Sequence, residues 1–378
     1  MSLYGVASTP WSGIISLDGA LSGKMTPQRS MSSLYGVAST PWSGIIAPGG
    51  HQNERKRKSM INKVAVLGAG TMGHSIANNF ASHGVEVNLY ESYESVRNTV
   101  NQRITDELRI MIEEGYFEEG IIESTLANIH LFAELEPAVR DVDFVIEATP
   151  EILELKKELF TQLDRFCRPD TILASNTSSL KLHDMTTGIS EARKAKAIIA
   201  HCYNPPHLIP IVELSFFGNM SLEDYNEVKE LFERCEKVPV KVKKDVTGMI
   251  ANRLLHAQAR ECFHLIDEGI ADPEDVDKAL MFGPCFRNAT TGMLECADMG
   301  GLDIWYAAEC NFFPDFCNSA TPSRTMGDHV EAGEYGYKTG KGFFEYPEET
   351  KQQMLEDFNR RLIIQLKASR NYKRGPKD

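Results

Sequence analysis

Residues 63–91 read KVAVLGAGTMGHSIANNFASHGVEVNLYE, and the fold of most of the chain turns on how this stretch is arranged. Lys63 to Leu67 is a short, apolar, β-rich run. Gly68, Gly70 and Gly73 follow at once in the pattern G-x-G-x-x-G. Ser75 to Gly84 has helical periodicity, and Val85 to Tyr90 reads as a second strand with Glu91 at its end. Three glycines alone are a weak signal. Set between a strand and a helix, with an acid about twenty residues on, they predict a dinucleotide-binding turn. The first glycine permits the tight turn, the second lets backbone approach a pyrophosphate, and the third allows close helix–strand packing. The helix N-terminus offers free amides and the positive end of its dipole to phosphates. Glu91 suits the adenosine ribose hydroxyls and repels a 2′-phosphate, which selects NAD over NADP.

Further alternation extends the sheet. Asp143–Ile146, Thr171–Ala174 and Ala197–Ala200 read as buried strands, with a helix over Leu153–Phe166. Strands alternating with helices predict a parallel sheet with helices on both faces, and such sheets bind ligands beyond the carboxyl ends of their strands. Two polar turns fall at such ends, Ser175–Ser179 and His201–Pro206. After Val240–Val242 the pattern becomes long helices: Met249 to Glu268, then one opened by Asp272 as N-cap and Pro273 at the first helical position. The fold class is therefore α/β, a Rossmann-type doubly wound parallel sheet followed by an all-helical C-terminal domain. The expected divisions are a tail over 1–59, a NAD-binding domain over 60–246, a helical substrate and dimerisation domain over 247–365, and a basic tail over 366–378.

The stretch AHCYNPPHLIPIVEL, 200–214, places two titratable side chains, His201 and Glu213, in apolar strand-like sequence around a proline-rich turn. A buried carboxylate is costly without a partner, and His201 is the nearest one. The turn predicts that the second strand folds back beside the first.

The chain has 378 residues, 42% hydrophobic and 25% charged, which is globular and long enough for about two domains. A formal charge of −13 argues against nucleic acid and anionic membranes as partners. Eight scattered cysteines without a C-x-x-C pair read as reduced thiols of an intracellular protein, with no metal site expected. The fourteen residues SLYGVASTPWSGII occur at 2–15 and again at 33–46, ahead of the basic run Arg55–Lys58. Two copies of an apolar-aromatic segment on a Gly/Ser/Pro-rich linker suggest a bivalent docking peptide for a scaffold or shell protein.

LGAGTMG near the start, EATPE at 147–151, ASNTSSL at 174–180, HCYNPPHLIPIVEL at 201–214, GMIANRLL at 248–255 and KTGKGFFEY at 338–346 occur in one order and at one spacing. In these motifs the chain resembles the L-3-hydroxyacyl-CoA dehydrogenase family over about Ile61 to Pro347. The NPPHLIP turn is more similar to the wing that oxidises free 3-hydroxy acids, such as gulonate and carnitine dehydrogenases and the λ-crystallins. The resemblance implies NAD as cofactor, a homodimer, and His201 as the base that takes the C3 hydroxyl proton, with Glu213 fixing its tautomer. It implies Ser178 and Asn252 as substrate contacts, Asn204 beside the nicotinamide, and Glu151, Lys156 and Lys338 as cofactor contacts. His183, His207, His256 and His264 are not expected to act in catalysis.

The pattern breaks where the family meets the CoA phosphates. Counted from Glu91, those positions fall on Glu107 and Glu114, with Arg103 and Arg109 as the nearby compensating cations. The resemblance implies interconversion of an L-3-hydroxyacyl-CoA and its 3-ketoacyl-CoA. This break keeps open a free 3-hydroxy acid or a small 3-keto compound as substrate. Use of the fold as a structural or docking protein is the further alternative.

Overall fold

The computed structural model describes residues 60–372, so the duplicated segment of the first 59 residues lies outside the described residues. Eight strands form one sheet: β1 (Lys63–Leu67), β2 (Glu86–Tyr90), β3 (Ile129–Phe132), β4 (Phe144–Glu147), β5 (Ile172–Ser175), β6 (Ala197–Cys202), β7 (Ile211–Ser215) and β8 (Val238–Val242). Their order is β3-β2-β1-β4-β5-β6-β7-β8. All neighbours are parallel except β6 and β7.

The strands are apolar in unbroken runs because both faces are covered. Alternate side chains of β1 enter different layers. Val64 and Val66 join Phe80, Leu89, Ile104, Leu108 and Phe144 on one face; Ala65 and Leu67 join Val145, Phe160, Leu163 and Leu173 on the other. Helices Gly73–Ser82 and Val100–Glu113 cover the first layer, and helix Leu153–Phe166 the second.

Three differences from the sequence reading bear on function. Strand β6 runs two residues further than Ala200, so His201 sits within the strand and not in the turn after it. The edge strand β3 was not anticipated, since its only buried residue is Ile129 and its alternation is too short to read. Helix Glu348–Ser369 continues through residues expected to form a basic tail. It lies back against the first layer, with Ile363 and Leu366 buried there. Its cations have fixed partners: Arg360 reaches Glu113 (2.6 Å) and Glu114 (2.7 Å), and Lys367 donates to the Glu114 carbonyl (2.6 Å). Just beyond it Arg370 pairs with Glu236 at 2.9 Å. Arg360 and Arg370 thus meet acidic side chains of the same chain. From Ala251 to Glu331 the chain is helical, beginning with the long helix Ala251–Asp267. Asp272 takes the N-cap place before Pro273, without a side-chain capping bond.

Candidate active site

The antiparallel pairing of β6 and β7 sets His201 directly opposite Glu213, and residues so paired present their side chains to the same face. His201 Nδ1 lies 2.9 Å from Glu213 Oε2, and the glutamate is fully buried. Its other oxygen, Oε1, accepts the backbone N–H groups of Ile250 (2.8 Å) and Ala251 (2.9 Å). These are orphan donors at the start of helix Ala251–Asp267, and a carboxylate is favoured there by the helix dipole as well. Burial alone would raise the Glu213 carboxyl. The hydrogen bonds from His201, Ala251 and Ile250 outweigh it and hold the group below the usual carboxylate range. An ionised Glu213 accepts from Nδ1–H, which leaves Nε2 of the neutral imidazole as the ring's acceptor.

His201 lines a cavity of about 400 Å³ together with Ser178, Asn204, Asn252, Glu151 and Lys156. Six of the sequence-predicted site residues therefore meet around one space. Asn176, which the sequence reading did not single out, accepts from the Cys202 backbone N–H at 2.8 Å and ties the end of β5 to the end of β6. Glu151 organises the turn that carries Ser178. It accepts from the Thr177 hydroxyl (2.5 Å), the Ser179 hydroxyl (2.8 Å) and the backbone N–H groups of Ser178 (3.2 Å) and Ser179 (3.1 Å). Those bonds, with Lys156, depress its carboxyl despite the burial that opposes them. Lys156 is almost wholly buried, 2.6 Å from Glu147 and 3.3 Å from Glu151. Glu147 also accepts from the Thr149 backbone N–H (2.9 Å), the Thr149 hydroxyl (2.6 Å) and the Ser175 hydroxyl. A buried charge persists only when paired and hydrogen-bonded, and this Glu147–Lys156–Glu151 arrangement satisfies that. Glu147 at the end of β4 was missed because nothing in the run FVIE marks which acid has a lysine waiting nine residues later.

A second cavity of about 630 Å³ shares Met72, Ala148 and Thr149 with the first and is lined by Gly68, Gly70, Glu91 and Tyr93. The glycines differ in what they require. Gly68 has φ +94°, a left-handed conformation that favours glycine. A Cβ on Gly73 would lie 1.7 Å from the Gly68 carbonyl oxygen, so the helix could not start this close to the loop. A Cβ on Gly70 would meet no protein atom within 4 Å. No neighbouring protein atom requires a glycine there; close approach of the loop backbone to a pyrophosphate in the cavity would. Glu91 accepts from the backbone N–H groups of Ala69 and Tyr93, each at 2.9 Å, and holds the loop closed. Each carboxylate oxygen keeps a further lone pair for a ribose hydroxyl. These residues fit a dinucleotide.

Not every expected residue joins the site. Lys338 is exposed in the turn bridged by Gly336 and Lys341 and lines neither cavity. His183 borders a separate depression with Lys194 and Asp245. His207 is buried: its Nδ1 lies 2.7 Å from the Ser75 hydroxyl and 3.4 Å from Glu107, and the Ser75 hydroxyl accepts from its backbone N–H at 3.0 Å. Burial pushes this imidazole down to about 4, so it is neutral near pH 7. Glu107 accepts from His74 Nε2 and from Asn78, each at 2.8 Å. Arg103 donates to the Ala69 carbonyl (2.9 Å) and to His74 Nδ1 (2.7 Å), and the exposed Arg109 pairs with Asp106 at 3.0 Å.

Residues 63–246 match the family model of the 3-hydroxyacyl-CoA dehydrogenase NAD-binding domain, and residues 248–346 match that of the C-terminal domain. The chain is 30% identical over 304 residues to 5-formyl-3-hydroxy-2-methylpyridine 4-carboxylate 5-dehydrogenase of Mesorhizobium japonicum, covering 79% of this chain and 95% of that protein. It is 33% identical over 296 residues to a probable 3-hydroxybutyryl-CoA dehydrogenase of Bacillus subtilis, covering 77% and 99%. Among solved structures, a 5-formyl-3-hydroxy-2-methylpyridine 4-carboxylic acid 5-dehydrogenase, described as an NAD+ dependent dismutase, superposes with TM-score 0.76 at 27% identity. That match covers 83% of this chain and all of the other.

Proposed function

The chain belongs to the 3-hydroxyacyl-CoA dehydrogenase family and is an NAD-dependent oxidoreductase, and we propose that it interconverts a small 3-hydroxy acid and its 3-keto partner without requiring CoA on the substrate. The bound nicotinamide supplies the hydride acceptor. His201 Nε2 takes the hydroxyl proton in the oxidative direction and returns it in the reductive one, since one imidazole nitrogen can act as base and then as acid. Glu213 fixes the tautomer and stabilises the imidazolium, as the acid does in a Ser-His-Asp triad. Ser178 and Asn252, which line the cavity with His201, would hydrogen-bond the substrate oxygens, and Asn204, in the same lining, would stand near the nicotinamide and substrate, as the family resemblance implies. Glu91, Gly68 and Gly70 line the cavity that would take the adenosine and pyrophosphate half, and Gly73, which lines neither cavity, lets the helix start close against the loop. Glu151 and Lys156 act at the nicotinamide half by shaping the turn of Ser178.

One observation carries the preference over a CoA ester. On helix Val100–Glu113 and its C-cap Glu114, the positions expected to meet CoA phosphates are acidic and already engaged, Glu107 by His74 and Asn78 and Glu114 by Arg360. Side-chain contacts to phosphate come chiefly from cationic donors, and an engaged carboxylate repels it. An L-3-hydroxyacyl-CoA substrate remains the second reading, supported by relatives named as 3-hydroxybutyryl-CoA dehydrogenases. NADH oxidation measured with acetoacetate and with acetoacetyl-CoA separates the two. The proposal expects the higher kcat/KM with acetoacetate; a much higher value with the thioester would reinstate the CoA reading. NADH binding without turnover of either would support structural or docking use of the fold.

A homodimer is part of the proposal. Large apolar side chains stand exposed on the helices after Pro273, including Phe282, Phe286, Leu294 and Met299, the last two about 80% exposed. So many exposed large apolar side chains on neighbouring helices suit an interface, and a second copy is the partner the family implies.

A further inference from the structure

We infer that Tyr203 is a positioning residue for substrate binding: its hydroxyl fixes the Asn252 side-chain amide so that the amide N–H₂ faces the cavity as a donor to a substrate oxygen. The inference rests on the oxidoreductase reading above and adds to it a residue outside the motif roles.

Tyr203 follows the last residue of β6, two positions after His201. Its ring packs edge-on against the His201 ring, with centroids 5.3 Å apart and planes at 62°. Its hydroxyl donates to Asn252 Oδ1 at 2.5 Å. Asn252 is in the first turn of helix Ala251–Asp267, whose start is held by Glu213 through the N–H groups of Ile250 and Ala251. The asparagine is therefore fixed twice, by its backbone through Glu213 and by its side chain through Tyr203. A side-chain amide has one acceptor oxygen and two N–H donors. With the oxygen committed to Tyr203, Nδ2 remains without a protein partner among the described residues, and both side chains line the cavity beside His201 and Ser178. Burial and the nearby Glu213 raise the Tyr203 phenol to about 12, so it keeps the proton that it donates to the Asn252 amide oxygen; the flipped amide would leave that proton without this acceptor.

An unconstrained asparagine would present oxygen or nitrogen to the cavity with little preference. Presenting oxygen to a substrate carbonyl or carboxylate sets acceptor against acceptor. The phenol thus biases the site toward oxygen-bearing substrate groups by favouring the Asn252 orientation that gives its own proton an acceptor, without touching the substrate.

The test is a double-mutant cycle with Tyr203→Phe, Asn252→Ala and the double variant, assayed by NADH oxidation with whichever of acetoacetate and acetoacetyl-CoA the wild type reduces. Tyr203→Phe keeps the ring against His201 and removes only the hydroxyl. Its KM should rise about tenfold, the size of one lost neutral hydrogen bond. Its kcat and the pH dependence of kcat should stay close to wild type, because the His201–Glu213 pair is untouched. The double variant should match Asn252→Ala alone, since residues acting through one contact are not additive. A Tyr203→Phe enzyme with wild-type KM, a fall in kcat instead of a rise in KM, or losses that multiply in the double variant would each overturn the assignment. A wild type that binds NADH but reduces neither compound would instead bring down the underlying reading, and this inference with it.

Discussion

His201 and Glu213 are one residue pair with two duties, because Glu213 divides its oxygens between the imidazole and the start of helix Ala251–Asp267. The sequence of 200–214 made the pair readable: an acid in an apolar strand needs a partner, and the intervening turn supplies one across a hairpin. The helix start could not be read, since Ile250 and Ala251 lie 37 and 38 positions further on and contribute only backbone. The same limit hid Glu147, Asn176 and the Tyr203 hydroxyl, each defined by a partner from another strand or helix. His207 gives a pH dependence at this scale. Its folded value of about 4 lies below the 6.5 of the free side chain, so between those values the unfolded chain binds a proton that the folded chain refuses. Stability rises with pH wherever the unfolded state holds more protons, so His207 lowers stability as pH falls from 6.5 towards 4. Urea midpoints measured from about pH 7 to about pH 4.5 should decline, and His207→Gln should flatten that decline. Parallel curves for the two proteins would show that burial of His207 is not its source.

At the scale of elements, the strand–glycine–helix unit of 63–91 declared itself because its signals are local and sequential: an apolar strand, a turn that needs glycine, a helix, and an acid at the next strand's end. Helix Glu348–Ser369 was legible only in part: the expected helical domain covered it as far as 365, but its last turn was read as basic tail, because Lys367 and Arg370 look solvated until Glu114 and Glu236 are placed beside them. The ion pairs of Arg360 are partly exposed, and such pairs contribute little singly. Burial of Ile363 and Leu366 against helix Val100–Glu113 holds the helix down more strongly than those pairs do. Leu366→Ala should lower the unfolding free energy by about 2–4 kcal/mol, the usual range for a buried leucine, measured by urea denaturation. A loss near zero, as for a surface substitution, would mean that the helix does not pack there in solution.

For the whole molecule, the sheet order places the ends of β1, β4, β5 and β6 side by side, so the glycine loop, the Glu147–Lys156–Glu151 cluster, the Ser178 turn and His201 all border connected space. That arrangement is what alternating strands and helices imply, and it was legible from the chain. The identity of the substrate was not, because the acids at Glu107 and Glu114 acquire meaning only through the residues that engage them. The proposed reaction stands on His201 as the group that exchanges the substrate's proton while the nicotinamide exchanges hydride. The direct measurement is kcat for His201→Asn beside wild type, with NADH affinity determined on both by fluorescence. Loss of a general acid–base should lower kcat by about 10²- to 10⁴-fold with NADH binding unchanged; a variant that retained the wild-type kcat would contradict the mechanism.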